Sequence, residues 1–489
     1  MKNLIQRFLL SPVHHLMFAI YYVFRLYGNN ISNVPFNDFI RPLLISVFAA
    51  SALYLLFFVL SRSSVKASFI TSVVFFMFYF YYDGWNLLPF KKTHAWATNF
   101  PIVWVLLTLI IIIWIERSRS TDPGGSFTAG VNLMAFTLLI FPTMQGIQYA
   151  VAIRQSYMPQ VRHVVDGRAL KSPPDIYYII LDAYPRADVL EQYGYDNGGF
   201  LQELRDLGFY VAECSQSNYS RTALSLTSSL NMDYLHVLST EIRPEEDDYF
   251  WLYKMLDENA VQASVSNMGY KTFSFASGFL WAEWRDADVF IAPPDGPMTE
   301  FETVVVLSSY ARILNDLGYI NLADIHADRF RTRTRLVLRS FDMLAHEPGP
   351  KFVFIHLIVP HAPFAFDENG NPVDPNQYQG NDGYVTQVKF INKFILPELK
   401  TLIDKSANPP VIILQGDHGT LERDLQMKIL NAYYLPEGTE ALYPSISPVN
   451  SFRIVFNTYL GTEFPLLDDV SYYSENSKYD LSIFPNTCP

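Results

Sequence analysis

The chain has 489 residues, half of them hydrophobic and 17% charged, against the roughly 25% charged residues of an ordinary soluble protein. A formal net charge of −12 argues against a nucleic-acid partner, which needs a basic surface. Cys214 and Cys488 are the only cysteines, too few to define a disulfide framework, and one disulfide or two free thiols are equally open.

The missing charge is concentrated at the front. Pro42–Leu60, Ala97–Ile115 and Pro123–Ile153 contain no charged residue, and a helix of about 20 apolar residues crosses a hydrocarbon core. A charge at mid-membrane costs about 2.5–3.5 kcal/mol on insertion scales, so charge-free runs of this length are informative. Ala67–Tyr82 is a shorter, aromatic-rich run closed by Asp83, and Phe8–Phe24 carries His14 and His15 near its start and Arg25 after its end. These runs predict about five transmembrane helices in residues 1–153, with the lipid bilayer as their partner. No small-residue cleavage site follows the first run, so it is read as a span and not as a signal peptide.

Loop charge sets the expected orientation. With the N-terminus inside, inner segments hold Lys2, Arg7, Arg62, Lys66, Arg117 and Arg119, and outer ones Arg25, Arg41, Lys91, Lys92 and Arg154, a slight positive-inside bias. An odd number of spans then puts the rest of the chain outside the cytoplasmic membrane, on the periplasmic side.

Residues 154–174 are polar, include Pro159, and read as a linker. From 175 to 489 strands and helices alternate. Ile176–Leu181, Phe209–Ala212, Lys271–Ala276, Val289–Ala292, Phe352–Ile358 and Val411–Leu414 read as strands. Helical spacing appears around Phe200–Leu207, over Phe250–Met268, and over Val385–Ile403, with apolar Val388, Ile391, Phe394, Ile395, Leu399 and Leu402. Short runs apolar on both faces, separated by helices, predict an α/β domain with a doubly wound, mostly parallel sheet.

Ligands of such sheets bind beyond the carboxyl ends of the strands, which selects Asp182, His361, Asp417 and His418. Adjacent Asp and His supply one oxygen and one nitrogen ligand, a set that suits Zn²⁺ or Mn²⁺ better than Ca²⁺. Each feature also has an ordinary structural explanation: Asp182 as a helix cap, Asp417-His418-Gly419 as a polar turn, His356 and His361 as buried histidines satisfied by the backbone.

Ile-Ile-Leu-Asp-Ala at 179–183, Pro-His-Ala-Pro at 360–363 and Gly-Asp-His-Gly at 416–419 resemble motifs of the alkaline phosphatase and sulfatase superfamily in order and setting. Membrane spans ahead of such a domain look like the lipoteichoic acid synthases and the lipid A phosphoethanolamine transferases. The closing segment Ser447–Gly461 resembles that of sulfatase-like domains. The resemblance implies a Thr or Ser at a helix N-terminus that is both metal ligand and nucleophile. Two registers fit: Thr222, opening Thr-Ala-Leu-Ser-Leu, and Ser217, opening Ser-x-x-Ser-Arg, with Thr222 preferred. A sulfate esterase is disfavoured, because at the nearest match, beginning at Cys214, Gln216 and Asn218 replace the required Pro and Arg. No histidine follows His418, which favours one metal ion over two.

The resemblance thus implies one divalent ion, Zn²⁺ or Mn²⁺, on Asp182, Thr222, Asp417 and His418. Thr222 (or Ser217) would attack a phospholipid donor, with His361 and His356 stabilising charge or protonating the leaving oxygen, and a glycan or lipid would accept the head group. A membrane-tethered phosphoesterase or sulfatase-like hydrolase, and a non-catalytic membrane scaffold with a decayed enzyme fold, are the alternatives.

Overall fold

The computed structural model describes residues 7–31, 34–87, 94–118, 125–155, 163–165, 173–238, 250–294, 296, 298–420, 422–486 and 488. Most of the linker and the loop charges Lys2, Lys91, Lys92 and Arg119 lie outside the described residues. The chain forms two compact units: Met1–Gln155 with Asp295–Leu322, and Ser156–Pro294 with Ala323–Pro489.

The first unit is built on five apolar helices, α1 (His14–Asn29), α2 (Phe36–Ser61), α3 (Ser64–Tyr79), α4 (His94–Arg117) and α5 (Ser126–Gln155). They match the five expected runs, α1 lying further along the chain than Phe8–Phe24. Among the described residues α2, α4 and α5 are long and apolar enough to cross a membrane. The 16 residues of α1 and of α3 give about 24 Å at 1.5 Å per residue, short of the ~30 Å hydrocarbon core. Successive helices alternate in direction. At one end Gln145 donates to Asn29 (3.2 Å) and Trp104 Nε1 to the Met77 carbonyl (2.6 Å). At the other, Ser68 donates to the Pro12 carbonyl, Asn132 to the Ser11 carbonyl and Lys66 to the Glu116 carbonyl. The two charges that bound the weaker runs pair with each other, Arg25 to Asp83 at 3.0 Å.

Residues 295–322 depart from the division at 174/175. Their place in the sequence implies the C-terminal domain, yet they pack with the membrane helices. The helix Glu300–Ser308 opens with a Thr299/Glu302 capping box, in which each side chain satisfies a backbone N–H that the first turn leaves unpaired.

The second unit is an α/β fold around a seven-stranded sheet. Its strands are β1 (Ile176–Leu181), β2 (Tyr210–Val211), β3 (Lys271–Phe275), β4 (Val289–Ile291), β5 (Lys351–Leu357), β6 (Val411–Gly416) and β7 (Asn431–Tyr434), in the order β2-β7-β6-β1-β5-β3-β4. β6, β1, β5, β3 and β4 are parallel; β7 pairs antiparallel with β6, and β2 at the edge pairs antiparallel with β7, so β7 alone runs against the rest of this sheet. Alternation along the central strands divides their side chains between two cores. Tyr177, Ile179 and Leu181 face one with Val353, Ile355, Ile412 and Leu414; Ile176, Tyr178 and Ile180 face the other with Phe352, Phe354, Val411 and Ile413. A strand covered by helices on both sides has no polar face, which is why these runs are continuously apolar.

The stretch Phe250–Met268 is two helices, Phe250–Asp257 and Ala260–Asn267, because the Asn259 side chain accepts from the Gln262 amide at 2.8 Å and caps a new start. A C-terminal hairpin, β8 (Ser471–Ser474) and β9 (Leu481–Phe484), was not anticipated. Cys214 and Cys488 form a disulfide across 274 residues, resolving the alternatives left open by the sequence.

Helix alternation places the start of α1 and the end of α5 at opposite ends of the bundle. A reporter active only outside the cytoplasm is therefore expected to work when fused after Pro174 and to fail when fused after Ser118. The opposite pattern at either position would refute five alternating crossings.

Candidate metal centre

Strand register assembles the site. Leu181 is paired with Gly416 of β6 on one side and with Leu357 of β5 on the other. The next residues, Asp182 and Asp417, therefore leave neighbouring parallel strands at the same level. Asp182 is anchored by its own amide, which donates to the Leu357 carbonyl at 2.8 Å.

The turn that carries Asp417 and His418 requires both flanking glycines. A Cβ on Gly416 would lie 2.3 Å from the Tyr184 carbonyl oxygen, and one on Gly419 would lie 2.5 Å from that of Lys428. Both obstacles are backbone and cannot swing aside. Opposite this turn Ala183 adopts φ +61°, a left-handed conformation uncommon for a residue with a Cβ. That geometry aims the Ala183 amide at Asp417 Oδ1 (3.0 Å), while Tyr384 donates to the Ala183 carbonyl at 2.6 Å.

One ligand atom from each of Asp182, Asp417 and His418 lies within 4.8 Å of the others, and all three residues are buried. His418 Nε2 is 3.8 Å from Asp182 Oδ1 and 3.7 Å from Asp417 Oδ2. Neither carboxylate oxygen has a hydrogen-bond partner, although buried charges are normally paired or ligate metals. His418 Nδ1 lies 2.8 Å from the Gly419 carbonyl. That contact assigns the proton to Nδ1 and leaves the Nε2 lone pair directed to the two oxygens. Two orphaned carboxylate oxygens and one imidazole nitrogen form a donor set that fits a divalent cation.

Electrostatics agree. Burial works to raise the Asp182 carboxyl, but the His356 hydrogen bond and the electrostatic influence of the neighbouring His361, His356 and His418 hold it below the ordinary carboxylate value. Burial likewise opposes charge on His418, yet Asp417 and Asp182 push its pKa above the ordinary histidine value. The cluster attracts positive charge, whether a proton or an ion supplies it.

Of the other candidates, His356, His361 and Ser217 contact this centre directly. His356 is buried in β5 with Nε2 3.0 Å from Asp182 Oδ2, so it orients that carboxylate. His361 donates its amide to the Asp182 carbonyl (3.1 Å), and its ring stands edge-on to His418 at 6.5 Å. Its Nδ1 lies 2.7 Å from the Ala362 carbonyl, leaving Nε2 available to a ligand. Thr222 opens the helix Thr222–Asn231 and is partly exposed. Ser217 lies in the segment before that helix and is buried. Its hydroxyl donates to the Asp417 carbonyl at 2.6 Å and meets the Ser225 hydroxyl at 3.0 Å. This hydroxyl pair ties the first turn of the helix to the Asp417 turn.

Sequence reasoning missed Ala183 and Tyr384 as residues that shape the site. The Tyr384 hydroxyl reaches across 201 positions, and nothing in its local pattern marks it. The Ala183 geometry exists only because the two strand ends meet.

No protein-family model matches the sequence, and no curated protein is significantly similar to it. Similar solved structures include the C-terminal periplasmic domain of EptC from Escherichia coli (13% identity, TM-score 0.43, covering 65% of this chain and 94% of that one). The integral membrane lipooligosaccharide phosphoethanolamine transferase A of Neisseria meningitidis is 14% identical with a TM-score of 0.38, over 91% of this chain and 94% of that one. The phosphonate monoester hydrolase of Agrobacterium radiobacter is 12% identical with a TM-score of 0.38, over 61% and 80%.

Replacing Asp417 or His418 with Ala should reduce bound Zn²⁺ or Mn²⁺, measured by elemental analysis of the purified full-length protein, at least tenfold. Ion occupancy at sub-saturating metal should also fall as pH is lowered through the raised His418 pKa, because His418 must lose its proton to ligate. The sign follows from its raised pKa: protonated His418 stabilises the metal-free fold below its unfolded value of 6.5, and that contribution fades as pH rises through the folded value. Occupancy independent of pH would exclude His418 as a ligand.

Proposed function

We propose that this protein is a metal-dependent membrane phosphotransferase. It moves a phospholipid head group, of the phosphoethanolamine or phosphoglycerol type, through a covalent phospho-Thr222 intermediate to a glycan or lipid acceptor. The observation that carries this reading is the buried pair of unpartnered carboxylate oxygens facing His418 Nε2, tied to the start of a hydroxyl-led helix. Asp182, Asp417 and His418, with Thr222, would hold one Zn²⁺ or Mn²⁺ ion. When bound, the ion supplies Lewis-acid stabilisation of negative charge on oxygen.

The protein groups divide the remaining work. Thr222 stands at the positive end of its helix, where backbone N–H groups favour phosphate and developing negative charge. Thr222 and Ser225 are three residues apart and share a helix face, and Ser225 is linked through Ser217 to the Asp417 turn. Deprotonated Thr222 Oγ1 forms a bond to the head-group phosphorus as the bond from phosphorus to the lipid glycerol oxygen breaks. His361 Nε2–H protonates that leaving oxygen. An acceptor hydroxyl then attacks the phosphorus, giving its proton to His361, and Thr222 is released. His356 holds the orientation of Asp182 throughout.

The five-helix bundle would retain the lipid donor and product at the outer face of the cytoplasmic membrane. The Cys214–Cys488 disulfide supports that placement of the catalytic unit, since structural disulfides persist in oxidising compartments.

Incubation of the full-length protein with labelled phosphatidylethanolamine or phosphatidylglycerol, followed by mass spectrometry, tests the reading. A phospho-adduct on the peptide containing Thr222 is expected. Thr222→Ala should abolish it, and Ser217→Ala should slow its formation by about one order of magnitude, the range for a lost positioning contact. Persistence in Thr222→Ala with loss in Ser217→Ala would transfer the nucleophile role to Ser217. Head-group release to water without transfer to any added acceptor would make the enzyme a hydrolase.

A further inference from the structure

Residues 299–320 lie in sequence between β4 and the long helix Leu322–His346 of the catalytic unit, yet they belong to the membrane unit. The attachment is specific. Phe301 is buried in a cluster with Tyr22, Tyr27, Phe39, Phe75 and Tyr79, from α1, α2 and α3. Glu302 pairs with Arg41 of α2. The Ser308 carbonyl accepts from the Tyr22 hydroxyl (3.0 Å), and the Tyr310 amide donates to the Phe78 carbonyl (2.7 Å).

Tyr27 is near the end of α1, Phe39 and Arg41 near the start of α2, and Phe78 at the end of α3. The alternating helices bring all three termini to one end of the bundle, the end at which α5 also finishes. The segment is thus held at that end of the bundle. Aromatic rings crowd it: Tyr310 stands edge-on to Tyr81 at 5.0 Å, Tyr81 packs against Phe100 and Trp104, and the Arg312 guanidinium lies 5.1 Å above Tyr82. Such belts mark membrane–water boundaries.

Having buried Phe301 inward, the segment leaves other large apolar side chains outward. Leu314, Leu317 and Tyr319 are 44%, 65% and 76% exposed, beside the polar groups of Arg312 and Asp316, which pair at 3.3 Å. We propose that residues 299–320 form a non-spanning, interfacial membrane anchor: Leu314, Leu317 and Tyr319 enter the boundary between lipid headgroups and acyl chains. The insertion so gives the catalytic unit a membrane attachment separate from the linker after α5. The bilayer is the occupant because the segment is fixed to the ends of membrane helices and carries the aromatic, Leu and Arg pattern of interfacial segments. This proposal rests on the membrane reading of the bundle.

Site-directed spin labelling of the full-length protein in lipid nanodiscs tests it. The native cysteines are bonded to each other, so a nitroxide can be placed on Leu317→Cys, with Tyr319→Cys as a second site should the first variant not fold. Phe48→Cys on the exposed face of α2 and Lys400→Cys on the catalytic unit serve as lipid and water references. Collisions with dissolved oxygen should exceed those with a water-soluble nickel chelate severalfold at 317, as at 48, with the reverse at 400. A water-like profile at 317 with a lipid-like one at 48 overturns the anchor alone. A water-like profile at both overturns the membrane reading of the bundle. Protection from both probes at 317 means that a protein surface, such as a second copy of the chain, covers it, and also overturns the anchor.

Discussion

Two carboxylates, Asp182 and Asp417, are buried side by side with one oxygen of each unpartnered. Removing an ionised carboxylate from water costs several kcal/mol even after the protein relaxes, and the usual remedies are a counter-charge or a shift of pKa. The surroundings supply partial remedies: a histidine hydrogen bond to Asp182, a backbone amide to Asp417, and the positive potential of nearby imidazoles. They leave the two inward oxygens and His418 Nε2 facing one another. A fold that maintains such an arrangement gains from a cation at that point, and the close backbone packing around Asp417 serves to maintain it.

Much of the sheet's local structure can be understood from this requirement. β1 lies between β5 and β6, so that the ends of three parallel strands present Asp182, the His361 segment and Asp417-His418 together. Gly416 and Gly419 allow the turn after β6 to lie against backbone on both sides, and Ala183 accepts a left-handed conformation so that its amide can reach Asp417. Tyr384, anchored in the helix Gly380–Lys405, holds that strained residue from behind. Strain of this kind persists where the surrounding packing over-determines it.

The membrane unit follows different rules. Its helices expose leucine, isoleucine and phenylalanine outward and hold a polar cluster inside, where Ser68, Ser72, His14 and His15 bond to one another and to backbone, while the exposed Thr137 and Thr143 hydroxyls donate to carbonyls of their own helix. In hydrocarbon every polar group must find a partner within the protein. The segment 299–320 obeys both regimes, with a capped helix and a buried phenylalanine on one side and exposed apolar side chains on the other.

By itself, the sequence determined the elements whose signal is local. Continuous apolar runs marked β1, β5 and β6 to within two residues at each end, because burial on both faces leaves few polar positions. Charge-free runs marked the membrane helices, because charge is costly there. Asp182, Asp417 and His418 were legible from their place just after those strands. What tertiary structure alone decided depends on residues far apart in the chain. Asn259 split a run of helical spacing by capping a second start. Cys214 met Cys488 across 274 residues. The strain at Ala183 and the support from Tyr384 arise from contacts across 201 residues or more. Residues 299–320 left the domain that surrounds them in sequence, because Phe301 and Glu302 find their apolar and charged partners on α1, α2 and α3. No local pattern encodes a partner hundreds of positions away; the packed chain supplies it.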